Sequence, residues 1–174
     1  MIFSERELRD ALGCFATGIA VVTTEVEDTL LGATMSSFNS VSLSPPLVLF
    51  SLARAAFGFP LWQKATGFGI TLLGDEQNDL STRFARRGID KWKTVTPCRG
   101  PNGQALIPGG LASFECETYA RYDGGDHEIF VGRIVSFQTR QGDPLLFYGG
   151  RYRGLQPDQP IATLPETDIW LHGW

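Results

Sequence analysis

Side chains with hydroxyl groups are concentrated in residues 34–44, which read TMSSFNSVSLS. Six of these eleven residues carry a hydroxyl: Thr34, Ser36, Ser37, Ser40, Ser42 and Ser44. Hydroxyls and free backbone N–H groups at a strand end can hold a phosphate without a lysine. The alternative is a polar turn with serines that alternate toward solvent, and composition alone favours this alternative.

A histidine stands beside a glycine-rich turn later in the chain. His127 follows Gly124-Gly125-Asp126, between two stretches that read as long strands. Because glycine lets a ligand approach the backbone closely, such a turn can place an imidazole beside a bound molecule. A histidine at a strand start is also commonly structural, and the turn alone leaves both roles open.

Two tyrosines, Tyr148 and Tyr152, flank a pair of glycines in the sequence FYGGRY. Aromatic rings beside flexible backbone can stack on a flat heterocycle, or they can pack at the rim of a barrel. The segment from Asp75 to Phe84 predicts a helix whose N-terminus could face an anion, with a plain surface helix as the alternative. Neither pattern decides between its two roles.

The cysteine and histidine content disfavours other kinds of reactive centre. Cys14, Cys98 and Cys116 share no CxxC spacing and are odd in number, which is typical of reduced thiols. The two histidines, His127 and His172, have no Cys or His cluster and no preceding GxSxG motif. We therefore expect no metal site, and a bound organic cofactor as the source of any chemistry.

Composition and charge are those of an ordinary soluble globular protein. Hydrophobic residues make up 43% and charged residues 20% of the 174 residues, enough for one domain with its own core. The net charge of −4 argues against a nucleic-acid partner. No apolar run approaches the roughly 20 residues of a membrane span, and the opening residues lead us to expect no signal peptide. We expect a cytoplasmic protein that binds neither nucleic acid nor membrane.

The elements that would position these groups are many strands and few helices. A first helix is expected from Ser4, which has capping-box spacing to Glu7, as far as Gly18. Its apolar positions are expected to lie on the body of the protein: Leu8, Leu12 and Phe15. Two further helices are predicted over 57–65 and 75–87, and a loop over 97–110. Strands are predicted over 19–24, 30–34, 47–50, 68–73, 114–122, 127–138 and 144–148.

This succession predicts a mainly β fold, a closed antiparallel barrel with peripheral helices. The prolines from Pro157 onward predict an extended arm that ends in Trp170 and Trp174. We therefore divide the chain into a domain over 1–156 and a C-terminal arm over 157–174.

Seven segments carry a resemblance to a known family: FATGIAVVTT (15–24), TMSSFNSVSLSPPLVLFSL (34–52), FGITLL (68–73), DEQNDLSTRFA (75–85), ASFECE (112–117), GDHEIFVGRI (125–134) and PLLFYGGRY (144–152). Their order and spacing, from about residue 8 to 155, closely resemble the flavin reductase-like family. Members of that family are small FMN-binding split-barrel reductases that serve two-component monooxygenases. The resemblance implies an antiparallel split β-barrel with peripheral helices.

The resemblance also implies roles for particular residues. The flavin phosphate and ribityl chain would be held by Thr34, Met35, Ser36 and Ser37, and the isoalloxazine edge would be lined by Ser51, Leu52 and Ala53. The phosphate or adenylate end would be closed by Gln77, Ser81 and Phe84. The nicotinamide side would be formed by Asp126, His127, Tyr148 and Tyr152, with His127 as the catalytic residue.

The chain departs from the family pattern at two places. Thr71 stands where relatives commonly have Asn, and Arg54, Ala55 and Ala56 stand where relatives often carry serines. Both departures concern the contact with the flavin phosphate, and Arg54 is expected to compensate for the missing serines.

By this resemblance, the chain would be a homodimeric NAD(P)H:flavin oxidoreductase that transfers hydride to FMN or FAD. NADH or NADPH would be the hydride donor, and a flavin-dependent monooxygenase would receive the reduced flavin. Hydride transfer needs two stacked rings and no strong acid, base or metal, which agrees with the few reactive side chains. Two alternatives stay open: a non-enzymatic flavin- or haem-binding split barrel, and a pyridoxamine-phosphate-type oxidase.

Overall fold

The computed structural model describes residues 2–155. Its helices are α1 (Glu5–Leu12), α2 (Phe59–Trp62) and α3 (Asn78–Ala85), and a 3-10 turn over Asp75–Gln77 precedes α3. Its strands are β1 (Thr17–Gly18), β2 (Ala20–Val26), β3 (Thr29–Met35), β4 (Asn39–Leu43), β5 (Pro46–Ala53), β6 (Gly67–Leu72), β7 (Cys98–Arg99), β8 (Ala105–Leu106), β9 (Ala112–Gly124), β10 (His127–Thr139), β11 (Leu146–Tyr148) and β12 (Arg151–Arg153). The predicted arm over 157–174 lies outside the described residues.

A seven-stranded antiparallel sheet forms the body, in the order β3-β2-β6-β9-β10-β5-β4. The sheet curls, because strands far apart in this order share one core that includes Val22 on β2 and Phe50 on β5. The Phe50 ring lies 5.0 Å from the ring of Phe68 on β6 and 5.1 Å from that of Phe130 on β10. The prediction of a mainly β, antiparallel fold is confirmed, and the curled sheet is compatible with a split barrel. The closed barrel expected from the succession of strands is not formed, because no ladder among the described residues joins the edge strands β3 and β4.

The second half of the chain is dominated by the long hairpin of β9 and β10. These strands pair from Ala112 opposite Thr139 to Gly124 opposite His127, with two register shifts on the way. On its other side β10 pairs with β5, and this ladder ends where His127 lies opposite Ala53. The hairpin turn is therefore held at the end of β5.

The sheet is open between its two edge strands, β3 and β4. Residues 36–38 carry the chain from one edge to the other. The hydroxyl of Ser37 spans the opening: it accepts from the Ser51 N–H at 3.0 Å and donates to the Ser51 carbonyl at 3.1 Å. A side chain, and not a strand ladder, therefore ties the end of β3 to β5.

Helix α3 packs on the outer face of the sheet over β3. Its Phe84 is fully buried, and the ring lies so close to Gly32 that a Cβ there would come within 2.5 Å of it. The small sheet β1-β11-β12 closes the same outer core through Phe147 and Tyr152. Glycine at position 32 thus allows α3 to lie directly against β3.

Helix α1 differs from its prediction. The capping box of Ser4 and Glu7 is present, but the helix ends at Leu12 and buries none of its residues. Leu8 is 43% exposed and Leu12 66% exposed, and Phe15 lies beyond the helix. The expectation that this helix packs on the body is wrong, because the strands fill the described cores without it.

The other helices are shorter than predicted. Helix α2 covers four of the nine predicted residues and buries Phe59 and Trp62. Helix α3 ends at Ala85 because Arg86 takes an extended backbone, with ψ of 148°. None of the helices in residues 2–155 is long and apolar enough to cross a membrane.

Four strand regions among the described residues were not predicted: β1, β4, the β7–β8 hairpin and β12. The loop expected over 97–110 contains the short hairpin of β7 and β8. Strand β4 runs through the hydroxyl-rich segment with the reverse of the expected alternation: its serines are half-buried, while Val41 is 44% and Leu43 70% exposed. The serines of β4 therefore do not face solvent, and two apolar side chains do.

A buried carboxylate fastens the β7–β8 hairpin to the sheet. Glu115 on β9 is 1% exposed and accepts hydrogen bonds from the backbone N–H groups of Asn102 and Gln104 and from the Ser136 hydroxyl. Burial acts to raise the pKa of Glu115, but these hydrogen bonds together outweigh it and lower the pKa. The ionised form is therefore the one that stabilises the fold.

We expect Glu115→Ala to lower the free energy of unfolding by about 2–4 kcal/mol at pH 7, because several buried donors lose their acceptor. Since the folded-state pKa is lowered, the contribution of Glu115 is complete above its ordinary value of about 4.3 and is lost as the pH falls below it. Urea unfolding at pH 7 and at pH 3.5 measures both effects. Glu117→Gln, at an exposed position on the same strand, is the control. An equal gap between parent and Glu115→Ala at both pH values would contradict the assignment.

Candidate functional site

A cleft of about 740 Å³ lies at the opening of the sheet. One wall is formed by the ends of β3 and β5, and the other by the end of α3 and the loop over 86–92. Nine residues predicted for the site line this cleft: Thr34, Met35, Ser36, Ser37, Ser51, Leu52, Ala53, Phe84 and His127. A volume of this size suits a cofactor or a small-molecule ligand.

The hydroxyls of the cleft differ in what they already contact. Thr34 donates to the Ser81 carbonyl at 2.6 Å, which ties β3 to α3. Ser37 makes its two bonds to the backbone of Ser51. Ser36 is exposed on the cleft wall. The hydroxyl of Ser36 is thus the one most open to a ligand, while Thr34 and Ser37 shape the backbone around it.

His127 lies at the rim of the cleft, as the first residue of β10. Its side chain is 42% exposed, and Nδ1 lies 2.7 Å from Oδ1 of Asp126. The hydrogen bond with His127 lowers the pKa of the Asp126 carboxyl. With Nδ1 directed to this carboxylate, Nε2 is the ring nitrogen left for a ligand.

Five predicted site residues do not line the cleft: Gln77, Ser81, Asp126, Tyr148 and Tyr152. Gln77 accepts from the Gly74 N–H and donates to the Pro108 carbonyl, so it fixes the start of the α3 segment. Ser81 is fully buried behind the cleft, 2.9 Å from the Tyr152 hydroxyl. Tyr148 is 46% exposed on β11. Contacts of these residues with a flavin or a nucleotide stay predictions.

Sequence reasoning missed the cationic wall of the cleft. Arg86, Arg87 and Lys91 all line it. The Lys91 amine is half-buried and donates to the Gly32 carbonyl at 2.9 Å and to the Phe84 carbonyl at 2.7 Å. Burial lowers the pKa of Lys91. The cluster of basic residues in RFARRGIDKWK was the available signal, since it directly follows the helix.

Trp92 is a second lining residue that the sequence did not reveal. Its ring meets the Phe84 ring edge to face, with 4.8 Å between centroids. Its Nε1–H is buried and has no hydrogen-bond partner among the described residues. A buried donor of this kind is costly unless a ligand or water accepts from it.

Of the residues at the two departures from the family pattern, Ala56 lines the cleft, while Thr71, Arg54 and Ala55 do not. Thr71 is fully buried and accepts from the Ile107 N–H at 3.2 Å, a contact inside the fold. Arg54 turns away from the cleft toward the β9–β10 turn, where its Nε donates to the Gly125 carbonyl at 3.1 Å. Neither residue stands where the resemblance placed a phosphate contact.

The cleft has the chemical character needed for a flat heterocycle with an anionic tail. Leu52, Ala53 and Trp92 give apolar surface, and the hydroxyls and cations lie beside it. Within residues 2–155, no group of three or more His, Cys, Asp or Glu side chains is placed to hold a metal ion. Burial raises the pKa of the Cys116 thiol to about 12, so this thiol is not a nucleophile. The site can bind and orient, and it has few groups that could react.

Comparison with known proteins agrees with this character. A family model described as "Flavin reductase like domain" matches residues 12–156. The chain is 43% identical over 154 residues to FMN reductase (NADH) SmoA of Agrobacterium fabrum, covering 86% of this chain and 85% of that protein. It is 34% identical over 178 residues to the flavin-dependent monooxygenase reductase subunit HsaB of Rhodococcus jostii, covering 95% and 91%.

A similar solved structure is the NADH:FAD oxidoreductase SgcE6 of Streptomyces globisporus C-1027, in complex with NAD and FAD fragments. It matches with a TM-score of 0.85 at 35% identity and covers 90% of this chain and 96% of that one.

The different contacts of Ser36 and Ser37 give a matched pair of variants. We expect Ser37→Ala to lower the free energy of unfolding by about 1–2 kcal/mol, because both bonds to the Ser51 backbone are lost. Ser36→Ala, one residue away, should leave it within about 0.5 kcal/mol of the parent. Denaturant unfolding of the protein freed of ligand measures both. Equal stability of the two variants would mean that Ser37 does not hold the opening of the sheet.

Proposed function

The chain belongs to the flavin reductase like family, and from this premise we propose that it reduces FMN or FAD with NADH or NADPH and supplies the reduced flavin to a flavin-dependent monooxygenase. The relatives named above are reductases, and one of them is the reductase subunit of a flavin-dependent monooxygenase. Their names support the reductase and not the binding protein or the oxidase considered as alternatives.

The observation that carries the proposal is the cleft at the opening of the sheet. Its hydroxyl wall, its apolar surface and its basic loop meet in one space, and His127 lies at the rim. We assign the flavin tail to the side of Ser36 and the basic loop, because anions are bound by hydroxyls, backbone N–H groups and cations. We assign the flavin ring to Leu52 and Ala53, which offer an apolar surface at the end of β5.

When bound, the flavin supplies the acceptor of a hydride from the dihydronicotinamide. The protein's own residues orient the two rings, because this transfer depends on proximity and alignment. Ser37 and Thr34 hold the cleft wall at fixed distance from β5 and α3. His127 offers Nε2 at the open side, where it can hydrogen-bond a nicotinamide carboxamide or a phosphate. Ser81 supports the wall from behind through its carbonyl, and Phe84, which itself lines the cleft, packs on Gly32.

We further propose that two copies of the chain associate. The support is the number of large apolar side chains that one copy leaves exposed, among them Leu12 and Phe15 near the N-terminus and Val41 and Leu43 on the edge strand β4. Exposed apolar surface of this kind is typical of interaction sites, and an unpaired edge strand is open to association.

Light scattering of the purified full chain should therefore give about twice its mass of 19.1 kDa. Leu43→Glu should shift this mass toward that of one copy, because the charge would be buried in the interface without a partner. Glu117→Gln, at an exposed site on β9, is expected to leave the mass unchanged. A single-copy mass for the parent chain would overturn the proposed dimer.

The activity itself is tested with the parent and His127→Ala. The parent should oxidise NADH or NADPH only when FMN or FAD is present. In His127→Ala the value of kcat/KM for the nucleotide should fall about ten- to hundredfold, because one orienting contact is worth roughly 1–3 kcal/mol. Flavin affinity, measured by fluorescence titration, should stay within about twofold.

Arg99→Ala provides the control, since Arg99 pairs with Glu25 and the Gly103 carbonyl and does not line the cleft. A parent that binds flavin without oxidising either nucleotide would be a binding protein, and the proposed function would be wrong. A parent that reduces flavin and a His127→Ala variant at full speed would instead show that the nicotinamide lies elsewhere.

A further inference from the structure

The turn that carries His127 is held from one side by a single residue, Arg54. This turn consists of Gly125 and Asp126, between the last residue of β9 and the first of β10. Gly125 has a φ of 76°, which favours glycine. Arg54 follows the end of β5 directly, next to Ala53, which lies opposite His127 in the ladder. The loop after β5 and the hairpin turn are therefore neighbours.

All three guanidinium nitrogens of Arg54 are directed to this hairpin. Nε donates to the Gly125 carbonyl at 3.1 Å, Nη2 to the Asp123 carboxylate at 2.6 Å and Nη1 to the Glu128 carboxylate at 3.2 Å. The backbone N–H of Arg54 donates to the Asp126 carbonyl at 2.9 Å. One residue thus contacts the turn itself and both strands that flank it.

The contact with Glu128 anchors this arrangement to the core. The Glu128 carboxylate is only 9% exposed, and it also accepts from the Gln63 side chain at 3.0 Å. Asp123, by contrast, is 82% exposed, so its ion pair with Arg54 contributes little. The Arg54 guanidinium also lies 5.8 Å from the ring centroid of the buried Phe59. The Arg54 guanidinium is therefore fixed by the buried Glu128 carboxylate and the Phe59 ring, and it bonds to the turn from this fixed position.

The three bonds from the Arg54 side chain to the hairpin require an arginine. The planar guanidinium presents donors in fixed directions, so one side chain can serve a carbonyl and two carboxylates at once. A lysine would keep the charge beside Glu128 but would place a single ammonium group among three acceptors in three directions. The three side-chain bonds of Arg54 to the hairpin thus depend on a geometry that a lysine does not reproduce.

We propose that Arg54 is a positioning residue for the nicotinamide side of the reaction: it fixes the Gly125–Asp126 turn, and through this turn the ring of His127, at the rim of the cleft. The proposal rests on the proposed function, because it needs His127 to contact the nucleotide. Arg54 itself does not line the cleft, so it acts on the nucleotide only through the turn.

The first test is the steady-state and stopped-flow kinetics of Arg54→Ala and Arg54→Lys. Both variants should lower kcat/KM for NADH about five- to twentyfold, because a loosened contact misplaces the reacting ring. Flavin affinity should stay within about twofold of the parent, since the flavin wall is untouched. Arg99→Ala, which removes an arginine that also pairs with a carboxylate and a carbonyl, should change neither quantity. A loss of flavin affinity as large as the loss in kcat/KM would overturn the proposal.

The second test is a double-mutant cycle between positions 54 and 127. If Arg54 acts through His127, then Arg54→Ala with His127→Ala should have the same kcat/KM for NADH as His127→Ala alone, within about threefold. If the two residues act separately, kcat/KM of the double variant should be lower than that of the parent by the product of the two single-variant factors. That multiplicative result would overturn the proposal, even where each single variant is slow.

The remaining outcomes are distinguishable as well. If His127→Ala is slow and Arg54→Ala is as fast as the parent, only the role of Arg54 is wrong. If His127→Ala is as fast as the parent, the proposed role of His127 fails and the positioning role fails with it. Should Arg54→Ala not fold, Arg54→Lys keeps a charge beside Glu128 and enters the same cycle. An Arg54→Lys variant with the parent's kinetics would then contradict the requirement for the guanidinium donors in fixed directions.

Discussion

In a curled sheet whose two edge strands do not pair, side-chain contacts have to hold the edges near each other. In this protein the chain crosses from β3 to β4 in three residues, and the Ser37 hydroxyl bonds to the backbone of Ser51 across the opening. Polar backbone groups near such an opening need partners, and a ligand can supply them. The opening of the barrel is therefore held by a side-chain contact, and the cleft lies beside it.

Positive charge is concentrated beside the same opening. The chain carries a net charge of −4, yet the loop over 86–92 brings Arg86, Arg87 and Lys91 to one wall of the cleft. The Lys91 amine bonds to the carbonyls of Gly32 and Phe84, so this loop is fastened to β3 and to the end of α3. A local basic wall on an acidic protein favours an anionic ligand at that point.

Local patterns in the sequence predicted the structure where the interactions were themselves local. The capping box of Ser4 and Glu7 and the hairpin around Gly125 join residues a few positions apart, and both are present. The apolar face of α1 was assigned to the body because periodicity shows that a face exists, but not what covers it. The guanidinium of Arg54 bonds to residues about seventy positions further along the chain, and nothing in the composition near Arg54 indicates these partners. Strand β4 was missed because its polar serines lie on the half-buried face.

The pairing of Ala53 with His127 has a consequence for how the protein is made. The cleft takes its walls from three parts of the chain, over 30–37, 51–57 and 84–92, and its rim from the start of β10. Contacts between such distant segments form late, since long loops must close before they are gained. On the ribosome, the site cannot be complete until β10 has emerged and paired with β5. The rim at His127 is therefore the last part of the cleft to be placed, after all three wall segments have been made.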